Sequence, residues 1–102
     1  VKFLLLTAAL ATTLSAAPVL ASEDLAKQKA CLACHQADKK LVGPSYKDIA
    51  AKYKTDKDAE KKLAAKIRAG GVGVWGQVPM PANPAVSEAE AITLAKWVLA
   101  MK

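Results

Sequence analysis

The chain has 102 residues, with 15 Lys+Arg against 9 Asp+Glu and a formal net charge of +6. That length holds one domain, and the lysines are scattered with no readable recognition element, which sets nucleic-acid binding aside. Aromatic residues make up 5% of the chain, so its own side chains offer little that is large enough to centre a core in so small a fold.

Residues 1–21 read as a secretory leader. Lys2 is followed by the apolar run Phe3 to Ala11, then by small residues ending in Val19-Leu20-Ala21. A basic start, an apolar centre and a small-residue cleavage site are the layout of such a signal. Cleavage after Ala21 is expected; a cut after Ala17 meets the small-residue rule too, but leaves Pro18 directly behind it. The competing reading is a retained membrane anchor, because Phe3 to Ser22 is uncharged and long enough to cross a bilayer. Thr7, Thr12, Thr13, Ser15 and Pro18 interrupt that stretch, and no charged cluster follows to stop transfer. The domain is therefore expected over residues 22–102, as an exported protein.

Ser22 is placed to cap a first helix from Glu23 to about Cys34, with Glu23 and Asp24 suited to the helix dipole. Leu25, Ala26, Lys29 and Ala30 cluster by helical spacing, and the alanines would let another helix approach closely. Gly43-Pro44 breaks the chain. Tyr46, Ile49, Ala50 and Tyr53 then mark one face of a short helix beginning at Ser45. Thr55 or Asp56 can cap the next helix, which carries Ala59, Leu63, Ala64 and Ile67 inward and ends near Ala69 at Gly70-Gly71. Residues 70–84 form a loop rich in glycine, proline and asparagine; loops this long in a compact domain are usually functional. The last helix opens with a capping box, Ser87 and Glu90, and carries Ala91, Leu94, Ala95, Val98 and Met101 on one side. The fold class is all-α, three main helices and a short one, with no internal repeat and no second domain.

Cys31-Leu32-Ala33-Cys34-His35 is the stretch that carries chemistry. A C-x-x-C-H run reads as a c-type haem attachment site. Two thiols add across the porphyrin's vinyl groups as thioethers, and the adjacent histidine is held beneath the iron. The chain has 2 cysteines and 1 histidine, so the motif uses the full supply of both. A planar apolar cofactor would also provide the missing core. Export permits a Cys31–Cys34 disulfide as the rival fate. A thioredoxin-like dithiol wants the motif beside a βαβ pattern, which is absent from the sequence, and a zinc site would lack a fourth Cys or His ligand.

With His35 as proximal ligand, the sixth position is open to methionine, to lysine or to nothing. Met80 is clamped between Pro79 and Pro81 inside the long loop, whereas Met101 lies beside the C-terminus. Two prolines fix φ on either side, which suits a thioether held at iron without a tether, and a Met/His pair raises the potential. The indole N–H of Trp75 can reach a haem propionate, with plain core packing as the alternative. The carbonyl of Pro44 or of Gly43 can accept the Nδ1–H of His35. Lys66 or Arg68 can pair with a propionate, although basic residues at a helix C-terminus also suit the dipole alone.

Three stretches carry a family resemblance: Cys31 to His35; Val42-Gly43-Pro44-Ser45-Tyr46-Lys47-Asp48; and Gly73-Val74-Trp75-Gly76-Gln77-Val78-Pro79-Met80-Pro81. Leu94-Ala95-Lys96-Trp97-Val98-Leu99 adds to them. Residues 22–102 resemble the small class I bacterial monohaem cytochromes c, of the cytochrome c-551/c-552 group. The resemblance implies a cytochrome c fold wrapped round one covalent haem c, held through Cys31 and Cys34, with His35 and Met80 as axial ligands. It implies that Pro44 supports His35, that Trp75 reaches a propionate, that Lys66 stands where the group often has arginine, and that the first and last helices cross closely. It also implies electron transfer in the periplasm. Because two axial ligands would leave no vacant site for a substrate, a soluble, monomeric one-electron carrier between transient redox partners in respiration is expected, not an enzyme. Two departures stand out: Ala82 where the group usually has a second proline, followed by Asn83-Pro84-Ala85 with one residue more than expected, and Ala30 where a glycine often permits the crossing.

Overall fold

The computed structural model describes residues 22–102. The expected leader lies outside the described residues. Among these, four α-helices alternate with loops and there is no strand: α1 is Ser22–Gln28, α2 Tyr46–Lys52, α3 Ala59–Ala69 and α4 Glu88–Leu99, with a 3-10 turn at Cys31–Ala33. None of these helices is long and apolar enough to cross a membrane.

The last helix organises the others, since α1, α2 and α3 each pack on α4. Its start is fixed by the expected capping box. Ser87 Oγ accepts from Glu90 N at 3.1 Å, and Glu90 Oε1 accepts from Ser87 N at 3.0 Å. Where α1 meets α4, Ala26, Ala91 and Ala95 are each 0% exposed, so methyl-sized side chains set the close approach. Leu25, Ala64, Val86 and Leu94 complete that cluster. A second cluster of Tyr46, Ile49 and Val98 lies between α2 and α4, and Leu63 and Trp97 touch both.

The first helix is shorter than its sequence suggests. It stops at Gln28, not near Cys34, because Ala30 adopts φ 59 and ψ 22. A left-handed residue cannot continue a right-handed helix. The chain restarts as a 3-10 turn, in which the N–H groups of Cys34 and His35 both donate to Cys31 O. Ala30 is exposed and takes no part in the helix crossing. The glycine-favouring feature at this position is therefore backbone conformation, not contact between helices.

Helix α2 begins as expected: Ser45, itself buried, accepts from Asp48 N at 3.1 Å. Helix α3 begins later than expected. Asp58 is its N-cap and makes no side-chain cap bond. Asp56 works two residues upstream, accepting from Asp58 N at 2.8 Å and from Lys62 Nζ at 2.7 Å. Gly70 ends α3 with φ 67, where its N–H donates to Lys66 O at 2.7 Å.

Candidate haem site

One cavity gathers the candidate residues. Cys31, Cys34, His35, Pro44, Lys66, Trp75 and Met80 all line it, and its volume is about 310 Å³. The 3-10 turn supplies the first cysteine and the two residues after it supply Cys34 and His35. The segment before α2 supplies Pro44, α3 supplies Lys66, and the long loop supplies Trp75 and Met80. The remaining wall is mainly apolar, with Ile49, Leu63, Ile67, Leu94 and Val98 among its residues.

His35 is fixed from three sides. Its Nδ1 lies 2.7 Å from Pro44 O. A carbonyl only accepts, so Nδ1 carries the proton and Nε2 of a neutral ring keeps its lone pair. This selects Pro44 over Gly43 as the acceptor. Gly43 acts through the space it leaves, since a Cβ there would lie 2.5 Å from His35 Cε1 and 2.9 Å from Nδ1. The ring occupies the volume that any side chain at position 43 would take. Tyr46 stacks on the imidazole with centroids 5.5 Å apart and planes at 24°, and Trp97 meets Tyr46 edge-on at 5.1 Å. Tyr46 OH is buried without a hydrogen-bond partner among the described residues, and burial, more than the nearby Cys31, pushes the phenol up to about 12.

The Met80 loop is secured at its base. Gly71 N donates to Met80 O at 3.0 Å and Met80 N donates to Gly71 O at 2.8 Å. This reciprocal pair brings Met80 back to the exit of α3. A Cβ on Gly70 would collide with Met80 O and lie 2.7 Å from Ala82 N, so the close approach needs glycine as much as the positive φ does. Asn83, in the segment where the loop departs from the expected pattern, has a definite role. Its Nδ2 donates to Ile67 O at 2.9 Å and its N–H to Arg68 O at 3.1 Å. It thereby satisfies carbonyls that the end of α3 leaves open. Met101 is not among the cavity's lining residues and packs on the Tyr46, Ile49 and Val98 cluster.

The basic candidates separate in the same way. Lys66 lines the cavity, and a Cβ on Gly71 would lie 2.7 Å from its Nζ. Arg68 points elsewhere, with Nε donating to Val86 O at 3.3 Å. Trp75 is 44% exposed, and its ring lies beneath the Lys52 ammonium, which is 5.1 Å from the ring centroid. Lys52, Tyr46 and the steric role of Gly43 are absent from the site expected on sequence. The contiguity of Gly43 to Tyr46 with the Pro44 break is the signal that points to the last two.

These residues fit a covalently attached haem. One imidazole has its Nδ1 proton committed and its Nε2 available. Two cysteines and a methionine share an apolar cavity with it, and glycines 43 and 70 clear space at the histidine and the methionine. The thiol chemistry argues against a reactive dithiol: burial pushes the Cys31 thiol up, whereas redox-active cysteines depend on a lowered value. Among the described residues, no cluster of three His, Cys, Asp or Glu side chains could hold a separate metal ion.

The model of the cytochrome c family matches residues 20–102. The chain belongs to the cytochrome c family. This cytochrome c is 56% identical over 82 residues to cytochrome c-552 of Nitrosomonas europaea, a match covering 80% of each chain. It is 60% identical over 80 residues to cytochrome c-551 of Azotobacter vinelandii, covering 78% of this chain and 96% of that one. Its fold is similar to the crystal structure of Nitrosomonas europaea cytochrome c552, with a TM-score of 0.77 and 56% identity over 78% of this chain and 99% of the other. The all-helical architecture expected from sequence is that of the family.

Proposed function

We propose that this cytochrome c is a one-electron carrier with a single haem c, attached through Cys31 and Cys34 and ligated by His35 and Met80. The observation that carries the reading is the 2.7 Å contact from His35 Nδ1 to Pro44 O, directly after a C-x-x-C pair. A histidine with its Nδ1 proton committed to a carbonyl offers one nitrogen, in one orientation, to a metal. When bound, haem supplies an iron centre that cycles between ferric and ferrous states. The protein residues do the rest. Cys31 and Cys34 tether the group so that it is not lost outside the cell. Tyr46 and Gly43 hold the imidazole in place, which limits rearrangement when charge changes. Met80, returned to α3 by the Gly71 pair, would be the second protein ligand to the iron and would leave no vacant site for a substrate, which supports a carrier in place of an enzyme. Lys66 and Trp75 are the residues for the propionates.

The leader-like residues 1–21 support export and a periplasmic location after cleavage. The basic excess supports electrostatic steering toward acidic docking patches on transient donors and acceptors of a respiratory chain, since charge complementarity mainly raises encounter rates. Such complexes are weak and small, consistent with a monomer that leaves its partner quickly. Mass spectrometry of the denatured, purified protein tests the attachment. One haem retained on a chain beginning at Ser22 is expected. A haem-free chain with a Cys31–Cys34 disulfide would overturn the reading.

A further inference from the structure

We propose that Lys52 is a positioning residue for Met80: through its ammonium on the Trp75 ring, it holds the tip of the Gly71–Met80 loop closed over the cavity. The proposal rests on Met80 being the axial ligand. The loop's base is well fixed, by the reciprocal Gly71–Met80 hydrogen bonds and by Asn83 on the end of α3. Its tip is not. Among the described residues, the one backbone hydrogen bond made within 72–79 runs from Gly73 N to Gly76 O, and it is internal to the tip. The helical core does not hold it either, because Val72, Val74 and Val78 line the cavity and belong to neither core cluster. Gly73 and Gly76 bracket Trp75 with φ of 106 and 109, and neither has another group within 4 Å of a Cβ position.

Lys52 reaches this tip from a different element. It is the last residue of α2, and its Nζ lies 5.1 Å from the centroid of the Trp75 ring. Among the described residues it forms no ion pair, unlike Lys27, Lys29, Lys47, Lys62 and Lys96. The indole face is therefore its directed partner, and the contact is the tip's directed link to the helical framework. The same helix begins with Tyr46, which stacks on His35. One short helix thus touches the histidine side at its first residue and the methionine loop at its last. A cation over an exposed ring is worth enough to shift an open–closed equilibrium about two- to fivefold.

The test uses the haem-loaded protein. Lys52→Met removes the charge and keeps most of the stem; Lys52→Arg keeps the cation. Amide hydrogen exchange over 72–79 should quicken about two- to fivefold in Lys52→Met and return to the wild-type rate in Lys52→Arg. Displacement of the sixth ligand by added imidazole should quicken by the same factor. In a Trp75→Leu background, Lys52→Met should add nothing, because the partner is already gone. Unchanged exchange in Lys52→Met would overturn the proposal. So would an effect that persists in the Trp75→Leu background, which would mean that the ammonium acts on the haem carboxylates or the end of α2. The ligand assignment fails separately, if the oxidised wild-type protein lacks the sulfur–iron absorption band, and the exchange rates still decide whether Lys52 holds the tip.

Discussion

Replacing Gly43 by alanine isolates the steric control of His35. The backbone at Gly43 lies outside the positive-φ region that Gly70, Gly71, Gly73 and Gly76 occupy, so alanine meets no left-handed penalty there. Its Cβ would nevertheless lie 2.5 Å from His35 Cε1, 2.9 Å from Nδ1 and 3.1 Å from Nε2. Non-bonded carbons rest at about 3.5–4.0 Å, so the ring must retreat by about 1 Å. The Nδ1 bond to Pro44 O is 2.7 Å long, and such a retreat takes it out of hydrogen-bond range. Tyr46, stacked on the imidazole, restricts how the ring can move. Overpacking costs about 1–3 kcal/mol and the lost hydrogen bond about 1 kcal/mol, a destabilisation of about 2–4 kcal/mol in all. Guanidinium unfolding of the haem-loaded Gly43→Ala protein measures it, and proton NMR of the His35 Nδ1–H reports the bond itself. A midpoint equal to wild type, with the Nδ1 proton still protected from exchange, would refute the steric cradle.

Ala30→Gly should raise stability by about 0.5–1 kcal/mol. It relieves a left-handed alanine at φ 59, worth about 1–2 kcal/mol, against about 0.4–1 kcal/mol of added freedom in the unfolded chain. A lower denaturation midpoint would contradict the strain at position 30. Tyr46→Phe should change the alkaline limit of stability. The phenol is raised from 10.0 to about 12, chiefly by burial and secondarily by Cys31, so in that interval the unfolded chain loses its proton first and stability falls as pH rises. Up to ~2 kcal/mol should be lost by wild type across the interval and retained by Tyr46→Phe, measured as unfolding free energy against pH. At neutral pH the variant should be no less stable, since the buried hydroxyl has no partner among the described residues.

The helical faces were legible because periodicity and capping are local. Ser45 and Ser87 cap α2 and α4 through the expected hydrogen bonds, and Ala91, Leu94, Ala95 and Val98 are the buried face of α4, whereas Met101 lies beyond its end at Leu99. The end of α1 was not legible, because alanine is a strong helix former and its residue type gives no sign of the left-handed turn at Ala30. The start of α3 moved for a similar reason: Asp56 can cap, but it serves Asp58 and Lys62 from outside the helix. Cys31, Cys34, His35 and Met80 could be chosen from sequence by scarcity and by the prolines flanking Met80. What surrounds them depends on contacts between distant segments. The choice of Pro44 over Gly43, the stacking of Tyr46 on His35 and the reach of Lys52 to Trp75 follow from how α2 is placed. Asn83 likewise shows its purpose only when the loop lies against the end of α3.

The near-infrared spectrum of the oxidised protein tests the central claim, that this is a His35/Met80-ligated electron carrier, most directly when two methionine variants are compared. Wild type should show the weak sulfur–iron band. Met80→Ala should lose it, show a lower potential and bind small ligands at the opened iron, because a thioether favours reduced iron and fills the sixth position. Met101→Ala should keep the band, since Met101 packs on the Tyr46 cluster without itself lining the cavity. A band that survives in Met80→Ala, or vanishes in Met101→Ala, would contradict the ligand assignment and with it the reading of this cytochrome c as a closed one-electron carrier.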